Sequence, residues 1–104
     1  MKIFRKLIRD KIPEIMAQEG KKANIRILDE KEYIEELERK LIEEVQEMRQ
    51  GEDPKEKIAY LYEILDALIA AHGLHKEEVG NIQKIQHEER GGFTKRLFLE
   101  GVEE

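Results

Sequence analysis

Between Ile34 and Met48 the apolar residues Ile34, Leu37, Leu41, Val45 and Met48 recur every three or four positions, with charged residues filling the gaps. That spacing predicts an amphipathic helix. Asp29 supplies its N-cap, Glu32 completes a capping-box pattern three residues later, and Gly51 marks its end. "GEDP" then reads as a turn, with Asp53 as the next cap and Pro54 at the first helical position. The third helix carries Ile58, Leu61, Leu65, Leu68 and Ile69 as its stripe and stops at Gly73. A fourth is expected from Lys76 to Glu89, with Val79, Ile82 and Ile85 inward and Gly80 as a weak spot. Near the start, Pro13 opens a shorter helix that ends at about Gly20.

Two stretches follow a different rhythm. "ANIRIL" is short and β-branched, and "FTKRLFLEGV" alternates after the Gly91-Gly92 break, so both read as strands. The expected architecture is mainly α: an antiparallel hairpin of two long helices with flanking helices and a minor two-stranded β ribbon. The chain has no internal repeat, low-complexity tract or long linker, and residues 1–104 are expected to form one domain.

Composition narrows the function. Charged residues make up 41% and hydrophobic ones 39%, so the core must come from narrow stripes. The net charge of −5 argues against a nucleic-acid partner, although an acidic protein can bind a phosphorylated small molecule by recruiting divalent cations. The absence of cysteine excludes thiolate zinc sites and a cysteine nucleophile, and fits a reducing compartment. No apolar run reaches membrane-spanning length and "MKIFRKLIRDKIPEI" lacks the apolar block of a signal peptide, so a cytoplasmic protein without membrane association is expected.

The chemistry concentrates in "LIEEVQEM". Glu44 and Glu47 are three apart on one helical face beside the apolar stripe, with Glu43 adjacent. Glu63 and Asp66 repeat the spacing on the next helix, in the otherwise apolar "YLYEILDALIA". Two carboxylate pairs on facing helices suit a hard divalent cation; in a glutamate-rich chain the same residues also suit a solvated flank paired with Lys and Arg. Gly91-Gly92, flanked by Arg90, Lys95 and Arg96, offers either surface charge or a close approach to phosphate, and "KLIRDK" concentrates cations near the other end. His72 and His75 have a metal-ligand interval, but Gly73 between them favours helix-end roles; His87 reads as exposed, and Tyr60 and Tyr62 as groove lining.

"KLIRDKIPEI", "LIEEVQE", "EILDAL" and "ERGGFTKRLFL", in that order, resemble the small house-cleaning branch of the MazG-like all-α nucleoside triphosphate pyrophosphohydrolases, relatives of the phosphoribosyl-ATP pyrophosphohydrolases. The resemblance spans nearly the whole chain. It implies a Mg²⁺-dependent hydrolase, with Mn²⁺ as the alternative cation, that cleaves non-canonical nucleoside triphosphates to monophosphate and pyrophosphate. It also implies a homodimer or higher homo-oligomer. The family pattern, E-E-x-x-E followed by E-x-x-D, falls on Glu43, Glu44 and Glu47 and, read literally, on Glu63 and Asp66. Glu44, Glu47, Glu63 and Asp66 would hold metal, Glu43 would be a further ligand or orient the water, and Lys11, Arg90, Lys95 and Arg96 would contact phosphate.

A second register lays the family's E-x-x-D on Lys57 and Tyr60, leaving Glu56 as a partial substitute. The groove would then present Lys57 to the glutamates in place of a cation. A catalytically inactive helical module, which oligomerises or binds nucleotide, is the alternative function. The literal register, with Asp66 turned into the groove, is the expectation taken forward.

Overall fold

In the computed structural model, which describes residues 2–103, four α-helices follow one another: α1 (Ile12–Gln18), α2 (Glu30–Arg49), α3 (Pro54–Ala71) and α4 (Lys76–Arg90). Each boundary has a local cause. Asp29 caps α2 by accepting a hydrogen bond from the Glu32 amide at 2.8 Å, and Asp53 caps α3 by accepting from the Lys55 amide at 3.0 Å. Only half of the capping box forms, because Glu32 turns its carboxylate to Arg26 at 2.9 Å. Gly51 takes a φ of 102°, which lets the chain reverse within a few residues of α2.

α2 and α3 form an antiparallel hairpin, and this is the main packing contact of the molecule. Leu37 and Ile64 are its buried apolar residues, and Glu44 is the buried charged one. Ile34, Leu41, Val45 and Met48 flank the seam half-buried. α4 packs on α3 far less than α2 does, leaving Ile82 and Ile85 exposed where inward positions were expected.

The face that α3 turns to α2 also differs from expectation. The stripe read from the sequence ran through Ile58 and Leu65, yet both are exposed, while Lys57, Tyr60 and Ile64 face the seam. α3 is apolar around much of its circumference, so periodicity alone offered two faces to choose between.

The β ribbon is not formed: among the described residues there is no strand. "NIRIL" has no regular structure and carries Ile27 at 96% exposure, and Phe93 in the C-terminal segment is at 95%. A two-stranded ribbon is marginal unless its apolar face packs on something. Here Arg26 is drawn to Glu32 at the start of α2, and Arg96 adopts a positive φ of 58° within a turn closed onto Phe93. No helix among the described residues is long and apolar enough to cross a membrane.

Removing a cap should cost helix stability without changing the fold. Asp29→Ala is expected to lower the unfolding free energy by about 1 kcal/mol, measured by urea titration of helical circular dichroism, with Glu30→Gln as the near-neutral control.

Candidate functional site: a lysine among carboxylates

Glu44 sits on the α3-facing side of α2, one turn from Lys40 and three residues before Glu47. Its side chain is only 3% exposed. A carboxylate removed from water in this way demands a partner, because an isolated buried charge is strongly unfavourable. Lys57, in the first turns of α3, supplies it. The Lys57 Nζ donates to Glu44 Oε2 at 2.8 Å and to Glu47 Oε2 at 2.5 Å. Glu52, in the turn, approaches the same ammonium at 3.6 Å.

The electrostatic consequences run in opposite directions for acid and base. The hydrogen bonds it donates to Glu44 and Glu47 push the Lys57 ammonium pKa above its ordinary 10.5. The hydrogen bond from Lys57 holds the Glu47 carboxyl below its ordinary 4.5, against an opposing effect of burial. Lys57 is therefore a fixed cation, charged through the whole physiological range, and neither a base nor a nucleophile.

Glu63 and Asp66 do not join this cluster. Glu63 pairs with Arg9 at 3.4 Å and Asp66 with Lys76 at 3.1 Å, both substantially exposed. The reason is helical geometry: at roughly 100° per residue, Glu63 and Asp66 lie about 240° and 180° around α3 from Lys57. The literal register required both in the groove; the side chain that reaches the glutamates comes from the second register. Glu43 is half-buried beside Glu44, and Glu56 is exposed.

The family resemblance implies Mg²⁺ at this cluster. A hard divalent cation needs carboxylate oxygens free to coordinate it, and here an oxygen of Glu44 and another of Glu47 are bound to an ammonium already. Among the described residues, no three His, Cys, Asp or Glu side chains are gathered as a metal site. The residues present do not fit the group.

A second feature adjoins the first. Residues 7–10 cross the hairpin and bound a cleft of about 370 Å³, floored by Leu37, Ile64 and Ala67. Tyr60 lines it with two cations against its ring: Arg9 at 5.1 Å and Lys40 at 5.6 Å from the centroid. Tyr33, Asp10, Glu63 and Asp66 complete its wall. Tyr60 as groove lining was legible from sequence; the partnership of Arg9 and Lys40 was not, since they are 31 residues apart and meet only on this ring.

The expected phosphate contacts lie elsewhere. Lys11 occupies the N-cap position of α1, Arg90 ends α4, and Lys95 and Arg96 follow it; all four are exposed, and none lines the cleft. His72 and His75 sit at the C-cap of α3 and the N-cap of α4, and His87 is exposed in the last turn of α4. No family model, curated protein or solved structure matches the chain.

The Lys57 cluster predicts a characteristic pH profile. The Lys57 contribution is complete below about pH 10.5 and is lost as pH rises through its raised pKa; that of Glu47 is complete above about pH 4.5 and is lost as pH falls through its lowered one. Thermal stability should therefore be flat between those values and fall on both sides. Lys57→Met should lower the midpoint by several degrees at pH 7 and invert the acid limb, because protonation then relieves the unpaired glutamates. Melting curves from pH 3.5 to 11 check this; parallel profiles for parent and variant would refute it.

Proposed function

We propose that this chain is a helical nucleotide-binding module that holds its ligand without a metal ion and does not hydrolyse it. The observation that carries the reading is the Lys57 ammonium bound to both Glu44 and Glu47. Hydrolysis of a nucleoside triphosphate by water calls for a cation that screens the phosphate charge and lowers the pKa of the attacking water. A lysine ammonium supplies one positive charge and no open coordination position. In this chain that charge is already matched by two carboxylates.

The cleft beside the cluster supports binding. Its volume falls within the range of small-molecule sites. Arg9 and Lys40 offer donors to an anionic group, while Leu37, Ile64 and Ala67 offer apolar surface to a ring. Asp10, Glu63 and Asp66 on the same wall outnumber those two cations. Without a metal the cleft therefore favours a ligand of low charge, a nucleoside monophosphate over a triphosphate.

A second reading keeps the activity that the family resemblance implies. Glu44 is buried at the seam of two helices, and Glu43 and Glu47 lie half-buried on the same stretch of α2. Withdrawal of the flexible Lys57 side chain would free Glu44 and Glu47, with Glu43 beside them, to act as a Mg²⁺-dependent pyrophosphohydrolase centre.

One experiment separates the two. A panel of canonical and modified nucleoside triphosphates, incubated with the full chain and Mg²⁺ or Mn²⁺, should release no pyrophosphate above the protein-free rate. Calorimetry should show monophosphate binding that survives chelation of divalent ions and weakens at least fivefold in Arg9→Ala. Pyrophosphate release by the parent chain would overturn the metal-free reading in favour of the second. In Lys57→Glu/Tyr60→Asp, which restores carboxylates at both positions, millimolar Mg²⁺ should raise the melting temperature, whereas the parent should not respond.

A further inference from the structure

Arg9 is the cation that the cleft can offer most freely to a ligand. Its backbone is fixed just ahead of α1, where its carbonyl accepts the Ile12 amide at 3.1 Å. Its guanidinium is half-exposed and reaches across to α3. Lys40, the other cation on the Tyr60 ring, divides its charge with Glu47, whose carboxyl pKa it helps to hold down.

α3 holds the Arg9 guanidinium from two positions. The Tyr60 ring centroid is 5.1 Å from it, and the Glu63 carboxylate meets it at 3.4 Å. The two residues are three apart and share a helical face. Asp66, the other α3 carboxylate on the wall, has Lys76 of α4 at 3.1 Å instead. Glu63 therefore stands where the phosphate of a cleft ligand would stand, against the same N–H donors. A guanidinium presents those donors as a planar fork that suits carboxylate and phosphate alike, so one cannot take Arg9 fully while the other keeps it.

We infer that Glu63 sets the charge selectivity of this cleft by competing with the ligand's phosphate for Arg9. The inference rests on the nucleotide-binding reading and names the residue that enforces its preference for a monophosphate. The ion pair is weak enough to exchange: with 52% and 60% of the two side chains exposed, water screens it and an anion can displace it. The Tyr60 ring attracts the guanidinium by its charge and not through a hydrogen bond, so that hold survives the exchange. Once displaced, the Glu63 carboxylate remains on the cleft wall beside the phosphate. Its repulsion grows with each charge that the ligand carries. A monophosphate meets a modest penalty there, and a triphosphate a much larger one.

Calorimetry of the full chain with AMP and with ATP, both in the presence of a chelator of divalent ions, tests this. Glu63→Gln removes the charge and keeps the length of the side chain. It should bind AMP about threefold more tightly than the parent, and ATP roughly tenfold more tightly. In Glu88→Gln, which removes the same charge from an exposed position on α4, neither affinity should change. In the Arg9→Ala background the gain from Glu63→Gln should be lost, because the phosphate is then no longer brought to Glu63. Equal AMP-over-ATP preference in the parent and Glu63→Gln would overturn the inference and leave the nucleotide reading standing. A gain that persists without Arg9 would do the same. Binding by Glu63→Gln alone would sustain the inference and overturn the reading for the parent chain. Binding by neither chain would overturn both.

Discussion

One ammonium between two carboxylates governs how the two long helices meet. Glu44 is out of water, and the cost of that burial is offset only while Lys57 stays within hydrogen-bonding distance of it. Lys57 can do so only if the first turns of α3 present that face to α2. This rotation in turn brings Tyr60 and Ile64 to the seam, turns Glu63 and Asp66 away from the glutamates toward Arg9 and Lys76, and leaves Ile58, Tyr62 and Leu65 uncovered. The composition of the cleft and the nature of the bare stripe both follow from the angle at which a single lysine anchors α3.

The same geometry explains why a metal-centred arrangement is a poor fit. Glu44 and Glu47 are spaced as a ligand pair and converge as one, but what they converge on is a side chain of the protein itself. The internal cation occupies one oxygen of each carboxylate and stands where a metal ion would sit between them. Beside the cluster, Arg9 and Lys40 gather on the Tyr60 ring, and Leu37, Ile64 and Ala67 line the same cleft.

Much of the helical framework was legible in the sequence because it is written in local signals. Asp29, Gly51, Asp53-Pro54 and Gly73 punctuate the chain within a residue or two of the observed boundaries, since caps and left-handed glycines act on their immediate neighbours. What was not legible depended on choices among equivalent local options. α3 carries apolar residues on two faces, and only the long-range demand of Glu44 for a cation selects the one containing Ile64. "NIRIL" and "FTKRLFL" have strand-like composition, yet a ribbon needs a surface to lie on, and periodicity cannot supply one. At the site, Lys57 facing the glutamates was visible as one of two registers; the pairing of Arg9 with Lys40 across Tyr60 left no sequence signal at all.

The lysine side-chain ¹⁵N–¹H spectrum of the full chain, recorded near neutral pH with and without millimolar Mg²⁺, reads out whether Lys57 is the cation that Glu44 and Glu47 hold. An ammonium bound to two carboxylates exchanges its protons slowly, whereas exposed lysines lose theirs to water. One protected ammonium signal is expected, assigned to Lys57 by its disappearance in Lys57→Arg and unmoved by Mg²⁺. A spectrum without that signal, or one in which Mg²⁺ abolishes it as the glutamates take up the ion, would contradict the account.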